Sequence, residues 1–415
     1  MHQSLETPKI QESFAQHSIE TPETDTLSEP QPVSLTVRSC NQPEVLERYF
    51  DAWQDLADHA LESNVFYRPW MLLPAIWEFA PDKTWTVLLI VDENDRETDR
   101  PKLYGLIPLN YERAFKRLPI GIYRMWHHPH CFLHTPLIRA GHAQECFRAM
   151  FDWLRTSQPR AELLELNRIR GDGPFYDALQ TWVTTRGLTA FENESYERAL
   201  LVPAASADDY LSNTLSTGNL KELRRQRRRL GEKGELDLVV LERDEDIQPW
   251  LDEFCRLEAA GWKGENGTAF ANRDGELQYF RHITSAAHKH QTLMMLKLVL
   301  DGTPIAVKCN FLCGDGSYAF KIAYDESHSK FSPGVQLELD NIRQVHNVPN
   351  IQWMDSCADA RHFMINRLWG QRRTIRSLLF PTRGLTGKLL LKLIPGARWV
   401  RQKWHTLQPK REKPS

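Results

Sequence analysis

Residues 293–334 have the sequence LMMLKLVLDGTPIAVKCNFLCGDGSYAFKIAYDESHSKFSPG, and this stretch decides the fold. Asp301-Gly302 and Gly314-Asp315 are two-residue turn sequences between runs rich in apolar residues, a pattern typical of β-hairpins. The stretch therefore predicts three consecutive antiparallel strands. Ser332-Pro333-Gly334 then predicts a helix start, because serine suits the N-cap and proline suits the first helical turn.

Helical and strand patterns alternate on both sides of this stretch. Helix 334–347, strand 351–354 and helix 361–369 are predicted after it. An earlier unit, at residues 34–200, has its own predicted hairpin and helices in a similar order, although no sequence repeat is evident. The pattern predicts an α/β fold (α+β, with a mixed sheet) built from two units, at residues 34–200 and 201–371.

The two ends of the chain differ in charge, although the net charge is only −2. Residues 1–33 hold six acidic side chains and one lysine, and residues 372–415 hold twelve Lys/Arg and one acid. The first segment has too few large apolar residues to offset its ordering entropy, which predicts a disordered acidic leader. The second is predicted to be a basic tail, and the acidic remainder argues against a nucleic-acid partner.

Composition also excludes several classes of protein. No apolar run approaches the roughly 18 to 20 residues of a membrane-spanning helix, and the N-terminus lacks the pattern of a secretory signal. Seven scattered cysteines without a C-x-x-C motif indicate free thiols in a reducing compartment, so we expect a cytoplasmic protein. Trp126–His134 holds four histidines and a cysteine, but the spacing matches no standard zinc site, and we predict no metal.

Several short motifs together resemble one family. In order and spacing they are similar to the second half of a GNAT-type N-acyltransferase, and more closely to the bacterial CelD/FemX-like branch, in which two such domains lie in tandem. The resemblance is good over residues 200–370 and only general over residues 35–200. The motifs are Leu220–Leu230, Leu257–Gly264, Asp301–Ala306, Tyr324-Asp325, Phe331–Gly334 and Trp353–Asp355.

The resemblance implies acyl transfer from a thioester, most simply acyl-CoA, to an amine, and it assigns roles to residues. In a GNAT fold the donor pyrophosphate rests on backbone N–H groups at a helix start, which here would be Ser332, Pro333, Gly334 and Val335. Gly334 would allow close approach of the ligand, although an ordinary helix start has the same residue types. This stretch departs from the usual GNAT signature, so acyl carrier protein and aminoacyl-tRNA remain alternative donors.

Four further residues follow from the strand order that the resemblance implies. Asp355 would end the next strand beside the cleft and hold or deprotonate the acceptor amine, and Tyr324 would protonate the leaving thiolate. Asp359 and Arg361 would position the substrate. Helix capping is an alternative role for the two aspartates.

The hairpin itself suggests an anion site. If Gly314-Asp315 forms its two-residue loop, Lys308 faces Lys321 directly across two strands, and like charges in that position are destabilising. An anionic ligand between the amines would explain the pair. A solvated face, neighbouring acids or a register shifted by one residue are the alternatives.

The basic tail suggests a place of action. Residues 385–404 combine a short apolar, lysine-containing segment with Trp399 and Trp404, a composition typical of segments that lie on a membrane surface; packing on the acidic body is the alternative. We therefore expect a cytoplasmic transferase, peripheral at the inner membrane, with a small-molecule or lipid-linked amine acceptor of envelope or polysaccharide biosynthesis. A non-catalytic scaffold of polysaccharide assembly and an aminoacyl-tRNA-dependent transferase are the alternative functions.

Overall fold

The computed structural model describes residues 33–80, 84–95, 98, 101–116, 118–383 and 386–393. The predicted leader lies outside these residues except for Val33. Most of the predicted membrane segment, including Trp399 and Trp404, also lies outside them.

The described residues form a large mixed sheet with helices packed on it. The strands are β1 (Leu35–Cys40), β2 (Trp85–Asp92), β3 (Leu103–Glu112), β4 (Ile122–Met125), β5 (Leu137–Ile138), β6 (Leu163–Arg170), β7 (Phe191–Leu201), β8 (Leu236–Val240), β9 (Leu293–Leu300), β10 (Thr303–Cys313), β11 (Gly316–Tyr324), β12 (Trp353–Asp355) and β13 (Gln371–Pro381). The α-helices are α1 (Pro43–Glu47), α2 (Phe50–Asp58), α3 (Pro69–Phe79), α4 (Ala143–Thr156), α5 (Pro174–Thr185), α6 (Ala207–Thr214), α7 (Thr217–Gly231), α8 (Gln248–Ala260), α9 (Trp262–Glu265), α10 (Asp274–Lys289), α11 (Pro333–Asn347) and α12 (Phe363–Leu368).

The sheet order shows the same motif twice. The strands follow the order β1-β2-β3-β4-β6-β13-β7-β12-β11-β10-β9-β8, with β5 beside β3. In the N-terminal half β1 to β4 are antiparallel neighbours and β6 is parallel to β4. In the C-terminal half β8 to β11 are antiparallel neighbours and β12 is parallel to β11. The mixed α/β fold expected from the sequence is therefore confirmed, with a duplicated topology.

The two halves exchange their last strands at the centre of the sheet. Strand β7 ends the first half in sequence but pairs with β12, whereas β13 ends the second half and pairs with β6. The two exchanged strands also pair with each other. The prediction of a tail from residue 372 is therefore wrong over residues 372–381, because the basic residues there belong to a central strand. The division into two domains at residue 200 stays a prediction.

The two predicted turns are present because their residues accept positive φ. Asp301 (φ 47°) and Gly302 (φ 74°) connect β9 to β10, and Gly314 (φ 60°) begins the turn between β10 and β11. Asp and Gly tolerate the left-handed region better than bulkier residues do. Gly314 also lies against the N-terminal half, since a Cβ there would lie 2.3 Å from Ser63 Oγ.

The predicted register across this hairpin holds only near the turn. Cys313 pairs with Gly316 and Asn310 with Ala319, but a bulge then shifts the pairing so that Lys308 faces Ile322 and Cys309 faces Lys321. The prediction that Lys308 and Lys321 are direct cross-strand neighbours is therefore wrong. A β-bulge inserts one extra residue and displaces every later pair by one position, and this effect cannot be recognised in the turn sequence.

The C-terminal described segment is helical at residues 386–393. Leu391 is 2% exposed in a small cluster with Phe115 and Ile122, whereas Leu389 and Leu393 are 59% and 58% exposed. The segment thus packs on the N-terminal half with one face. None of the helices within the described ranges combines the length and apolar character that crossing a membrane requires.

Candidate active site

A cleft opens where β11 and β12 separate. The two strands pair only at Gly316–Tyr318 and Trp353–Asp355, so the rest of β11 has no strand neighbour on that side among the described residues. The cleft has a volume of about 480 Å³ and lies between the second half of β11 and the chain from residue 356 to residue 365. It lies where the resemblance placed the reaction.

The N-terminus of α11 lies at the end of β11. Pro333 occupies the first helical turn as predicted, and the first helical hydrogen bond runs from the Gln336 N–H to the Ser332 carbonyl. Among the described residues, no acceptor engages the backbone N–H of Gly334 or Val335. Ser332 has φ 54° and its side chain makes no capping bond, so the hydroxyl does not have the capping role that its residue type suggested.

Tyr324 connects this helix start to the cleft. Its side chain lines the cleft, and a Cβ at Gly334 would lie 2.9 Å from its Cδ1 atom. The ring therefore packs directly on the start of α11, which requires glycine there. Burial, assisted by the nearby Glu326 carboxylate, raises the pKa of the Tyr324 phenol, which keeps its proton in place at neutral pH.

A buried polar network involving Lys308 lies along the cleft. Its Nζ is 2.8 Å from Glu338 Oε2, and both side chains are almost fully buried. The other carboxylate oxygen of Glu338 accepts hydrogen bonds from Asn341 and Trp369. Because breaking a buried pair leaves a costly charge, Lys308 is held by protein groups and is not free to bind an anion as a lysine pair would require.

Lys321 also lines the cleft, but its surroundings differ. Its Nζ lies 5.2 Å from the ring centroid of Phe270 and 5.9 Å from those of Phe132 and Phe320. Burial, with a smaller effect from the like charge of Lys263, lowers the pKa of Lys321 to about 8.

A second, more polar pocket shares a wall with the cleft. Its volume is about 380 Å³, and both Asp359 and Arg361 line it together with Arg168, Glu194 and Tyr196. Asp359 also lines the cleft, and its Oδ1 accepts the backbone N–H of Arg361. The structure therefore brings the two predicted substrate-positioning residues together on the loop between β12 and α12. We refer to this space as the side pocket.

Asp355 has a different environment from the one its predicted role requires. Its carboxylate is fully buried, 2.7 Å from Arg198 Nε and 2.9 Å from Arg373 Nη1, and it also accepts the Cys357 N–H. Burial alone would raise the pKa of Asp355, but the two guanidinium groups together hold it below its usual range. An enclosed carboxylate of this kind is a poor proton acceptor, so the structure gives no geometric support to the predicted catalytic role.

Sequence reasoning missed several residues that line the cleft. Trp262 and Phe363 are 51% and 85% exposed, and Lys263 and Phe132 line the cleft with them. Trp262 and Lys263 lay within a motif of the resemblance, whose match to the family could have marked them as site residues. Phe132 comes from the N-terminal half, and no local pattern indicates that it reaches this cleft.

The histidine-rich segment contributes to packing. His128, His130 and His134 are at most 4% exposed, and His130 Nε2 lies 3.0 Å from Glu276 Oε2. Burial lowers the pKa of His128 and of His134 well below the usual histidine range. Within the described ranges, no group of three or more His, Cys, Asp or Glu side chains is arranged to hold a metal ion.

Comparison with known proteins agrees with this geometry. The family model described as "Acetyltransferase (GNAT) domain" matches residues 218–363, a segment that contains β9 to β12 and most of the residues that line the cleft. No curated protein sequence matches the chain.

Solved structures extend the similarity to most of the chain. FemX covers 86% of this chain and 99% of its own at 11% identity, with a TM-score of 0.52. A conserved protein of unknown function from Bacteroides thetaiotaomicron covers 83% and 100% at 10% identity, with a TM-score of 0.50. The C-terminal domain of a putative lysylphosphatidylglycerol synthetase from Agrobacterium fabrum covers 84% and 96% at 13% identity, with a TM-score of 0.47.

The fold, the split between two parallel strands and the family match together define an acyltransferase domain. The C-terminal half contains a segment, residues 218–363, that matches a GNAT acetyltransferase domain. Over most of its length it has the fold of FemX. The family resemblance and the fold class expected from the sequence are thereby confirmed, whereas the donor and the acceptor are a separate question.

Proposed function

We propose that the protein is an N-acyltransferase that moves an acyl group from acyl-CoA to an amine acceptor. The observation that supports this most strongly is the open cleft beside β11, bordered at one end by the start of α11 and Tyr324. Unpaired strand edges and unsatisfied helix N–H groups are suited to a thioester carbonyl and a pyrophosphate, respectively.

The donor would bind at the start of α11. The N–H groups of Gly334 and Val335 point out of the first helical turn without an acceptor among the described residues, and the helix dipole favours negative charge there. Ser332 and Pro333 would set the direction of the chain into this turn. The exposed aromatic rings of Trp262 and Phe363 at the cleft favour a substrate that carries an apolar chain, which includes a lipid-linked acceptor.

The side pocket would hold the acceptor. The Asp359 carboxylate, which borders both spaces, would attract the acceptor ammonium, and Arg361 would contact an anionic or hydroxyl group of the same molecule. After the ammonium loses one proton, the amine nitrogen forms a bond to the thioester carbonyl carbon and the carbon–sulfur bond breaks. Tyr324 donates its phenolic proton to the thiolate, and the second amine proton leaves to solvent, from which Tyr324 is reprotonated.

Asp355 would act through other residues in this mechanism. It fixes Arg198, whose Nη1 donates to the Phe132 carbonyl at 2.6 Å, and it fixes the backbone of Cys357 at 2.9 Å. Phe132 and Cys357 form part of the wall that the cleft and the side pocket share. We therefore propose that Asp355 is a positioning residue and not a base.

The alternative functions receive less support. A non-catalytic scaffold would fill its cleft with side chains, whereas this cleft is open. An aminoacyl-tRNA user would need a continuous basic surface, but three of the six basic residues of α7 are paired with acids: Arg225 with Glu222, Arg227 with Asp340 and Arg228 with Glu232. Leu223 and Leu230 form the buried side of this helix, which favours a structural role for it.

The test is thiol release from acetyl-CoA and decanoyl-CoA in the presence of a panel of primary amines, among them ethanolamine, glucosamine and ornithine. We expect amine-dependent release of CoA, and we expect Tyr324→Phe to lower kcat about 100-fold while the KM for the donor is unchanged. Tyr176→Phe, at a tyrosine outside the cleft, is the matched control. Amine-independent thiol release, or none with any acceptor, would contradict the proposal.

A further inference from the structure

Lys321 is an amine that the reaction described above does not use. It lies on β11 between the start of α11 and the side pocket, and its side chain lines the cleft. Among the described residues, no hydrogen bond or ion pair engages its Nζ. Three phenylalanine rings lie within 6 Å of it, with centroids at 5.2 and 5.9 Å, and their attraction for a cation is weak compared with that of a carboxylate.

The carboxylates around Lys321 are already bound to other groups. Glu258 pairs with Lys263 at 2.7 Å and accepts the Phe270 N–H with its other oxygen. Glu276 contacts His130 at 3.0 Å and Arg273 at 2.7 Å. Each acid therefore has a nearer partner, and Lys263 places a like charge beside Lys321.

This arrangement favours the neutral amine. Burial and Lys263 lower the pKa of Lys321, while Glu258, Glu276 and the Cys357 thiol act in the opposite direction with smaller effects. The resulting value of about 8 is near the operating pH of most enzymes, where a general base is most effective. The lowered pKa makes the neutral amine of Lys321 more accessible near neutral pH than that of an ordinary lysine.

The other titratable groups of the cleft are less suited to accept a proton. Glu338 is bound to Lys308, and burial keeps the pKa of the Cys357 thiol well above its usual range. Nδ1 of His362 accepts the Ile365 N–H as the cap of α12, so its neutral ring carries the proton on Nε2 and can only donate there. Asp359 lies on the exposed rim, where it would hold the ammonium.

We propose that Lys321 is the general base of the acyl transfer, a catalytic residue for which the acceptor is a primary or secondary amine that arrives protonated. The inference rests on the proposed function. The neutral Nζ of Lys321 accepts one proton from the acceptor ammonium, so that an N–H bond breaks on the acceptor and forms on the lysine. The freed lone pair attacks the thioester carbon, and Lys321 returns its proton to solvent after the product leaves.

The first test measures the lysine itself and needs no substrate. The folded protein is labelled with trace acetic anhydride between pH 6 and pH 11, and peptide mass spectrometry follows each lysine, with the exposed Lys233 as internal reference. We expect the labelling of Lys321 to have its midpoint near pH 8. In Lys263→Gln the like charge is lost and Glu258 is released, so the midpoint moves up by about one pH unit. Labelling of Lys321 that follows Lys233 at every pH overturns the inference.

The second test measures the reaction. Lys321→Met and Lys321→Arg are expected to lower kcat for amine-dependent CoA release at least about 100-fold, with the KM for acetyl-CoA unchanged, and Lys233→Met is the matched control. In Lys263→Gln the acid limb of the kcat/KM profile should move to higher pH together with the labelling midpoint. Full activity of Lys321→Met overturns the base role and leaves the acyltransferase intact, whereas no turnover by the wild type with any amine removes both proposals.

Discussion

The two halves of the sheet have the same topology but differ at the place where a GNAT fold binds its substrates. In each half the fourth strand of a meander is parallel to the next strand over three residue pairs. Beyond β11 the chain turns into α11 and leaves a cleft. Beyond β4 the chain instead continues as the histidine-rich segment, whose His128, His130 and His134 side chains are buried.

The two halves thus differ in the segment after the fourth strand, which leaves a cleft beside β11 and packs buried side chains after β4. In the N-terminal half the strand is followed by side chains that pack inward: Asn167 donates to His134 and accepts the Met125 N–H. The same segment places Phe132 in the wall of the C-terminal cleft. The N-terminal half therefore contributes one wall of the cleft in the C-terminal half.

The largest expected effect concerns the third residue pair in each of the two parallel strand pairs, β11–β12 and β4–β6. Asp355 is at this position in the C-terminal half, where it is fully buried between two arginines. Glu165 is at the corresponding position in the N-terminal half, and its partner Arg124 is 26% exposed. Asp355→Asn should lower the free energy of unfolding by about 3 to 5 kcal/mol, and Glu165→Gln by less, because Arg124 is partly exposed and also pairs with Glu112.

Urea unfolding of both variants checks this comparison, and pH sharpens it. Because the pKa of Asp355 is lowered in the folded state, its contribution is complete above its unfolded pKa of about 3.9. The contribution is lost as the pH falls through the folded value. Asp355→Asn should therefore flatten the acid limb of the stability profile. An equal loss of unfolding free energy in the two variants would contradict the proposed difference between the β11–β12 and β4–β6 pairs.

A smaller effect is expected when a large side chain is introduced into the open cleft of the C-terminal half. Ala358 lies in the wall that separates the cleft from the side pocket, and Ala358→Trp would occupy space in both. We expect kcat/KM for CoA release to fall about 10-fold or more with little change in Tm, because the side chain is partly exposed. Ala178→Trp, on a partly exposed position of α5, is the matched control, and equal activity of the two variants would show that the cleft is not the site.

The smallest expected effect concerns the C-terminal segment. Leu389 and Leu393 are exposed beside the buried Leu391, and the tail that follows adds Trp399, Trp404 and several cations. Removing residues 394–415 should weaken sedimentation with anionic phosphatidylglycerol vesicles several-fold at low salt, while urea stability changes little. A truncation after Arg376 would be unsuitable, since it would divide β13. Unchanged vesicle binding would contradict the membrane role.

The sequence predicted those parts of the fold that depend on local signals. Asp301-Gly302 and Gly314-Asp315 determine their turns through backbone preference, and Pro333 begins α11 because its φ suits the first turn. Strand β13 was not recognised, since its basic residues resemble those of a tail and its partner β6 is about 200 residues away in sequence. Arg373, counted as part of that tail, is in fact a buried partner of Asp355.

The site was predictable in its location and less so in its chemistry. The family resemblance placed Tyr324 and Asp359 beside one cleft, and both line it. Lys308 and Lys321, which the hairpin pattern suggested as an anion site, line it as well. Whether a charged group is paired depends on distant residues, such as Glu338 for Lys308. The bulge that separates the two lysines is likewise a property of the folded sheet.

The most direct test of the central claim is a calorimetric titration with acetyl-CoA and decanoyl-CoA. We predict one saturable site in the wild type and at least a tenfold loss of affinity in Gly334→Val, because a Cβ there would lie 2.9 Å from the Tyr324 ring. Gly218→Ala, where an added Cβ would meet nothing within 4 Å, should bind as the wild type does. Absence of binding to the wild type, or equal affinity in Gly334→Val, would contradict the claim that the C-terminal cleft is an acyl-CoA site.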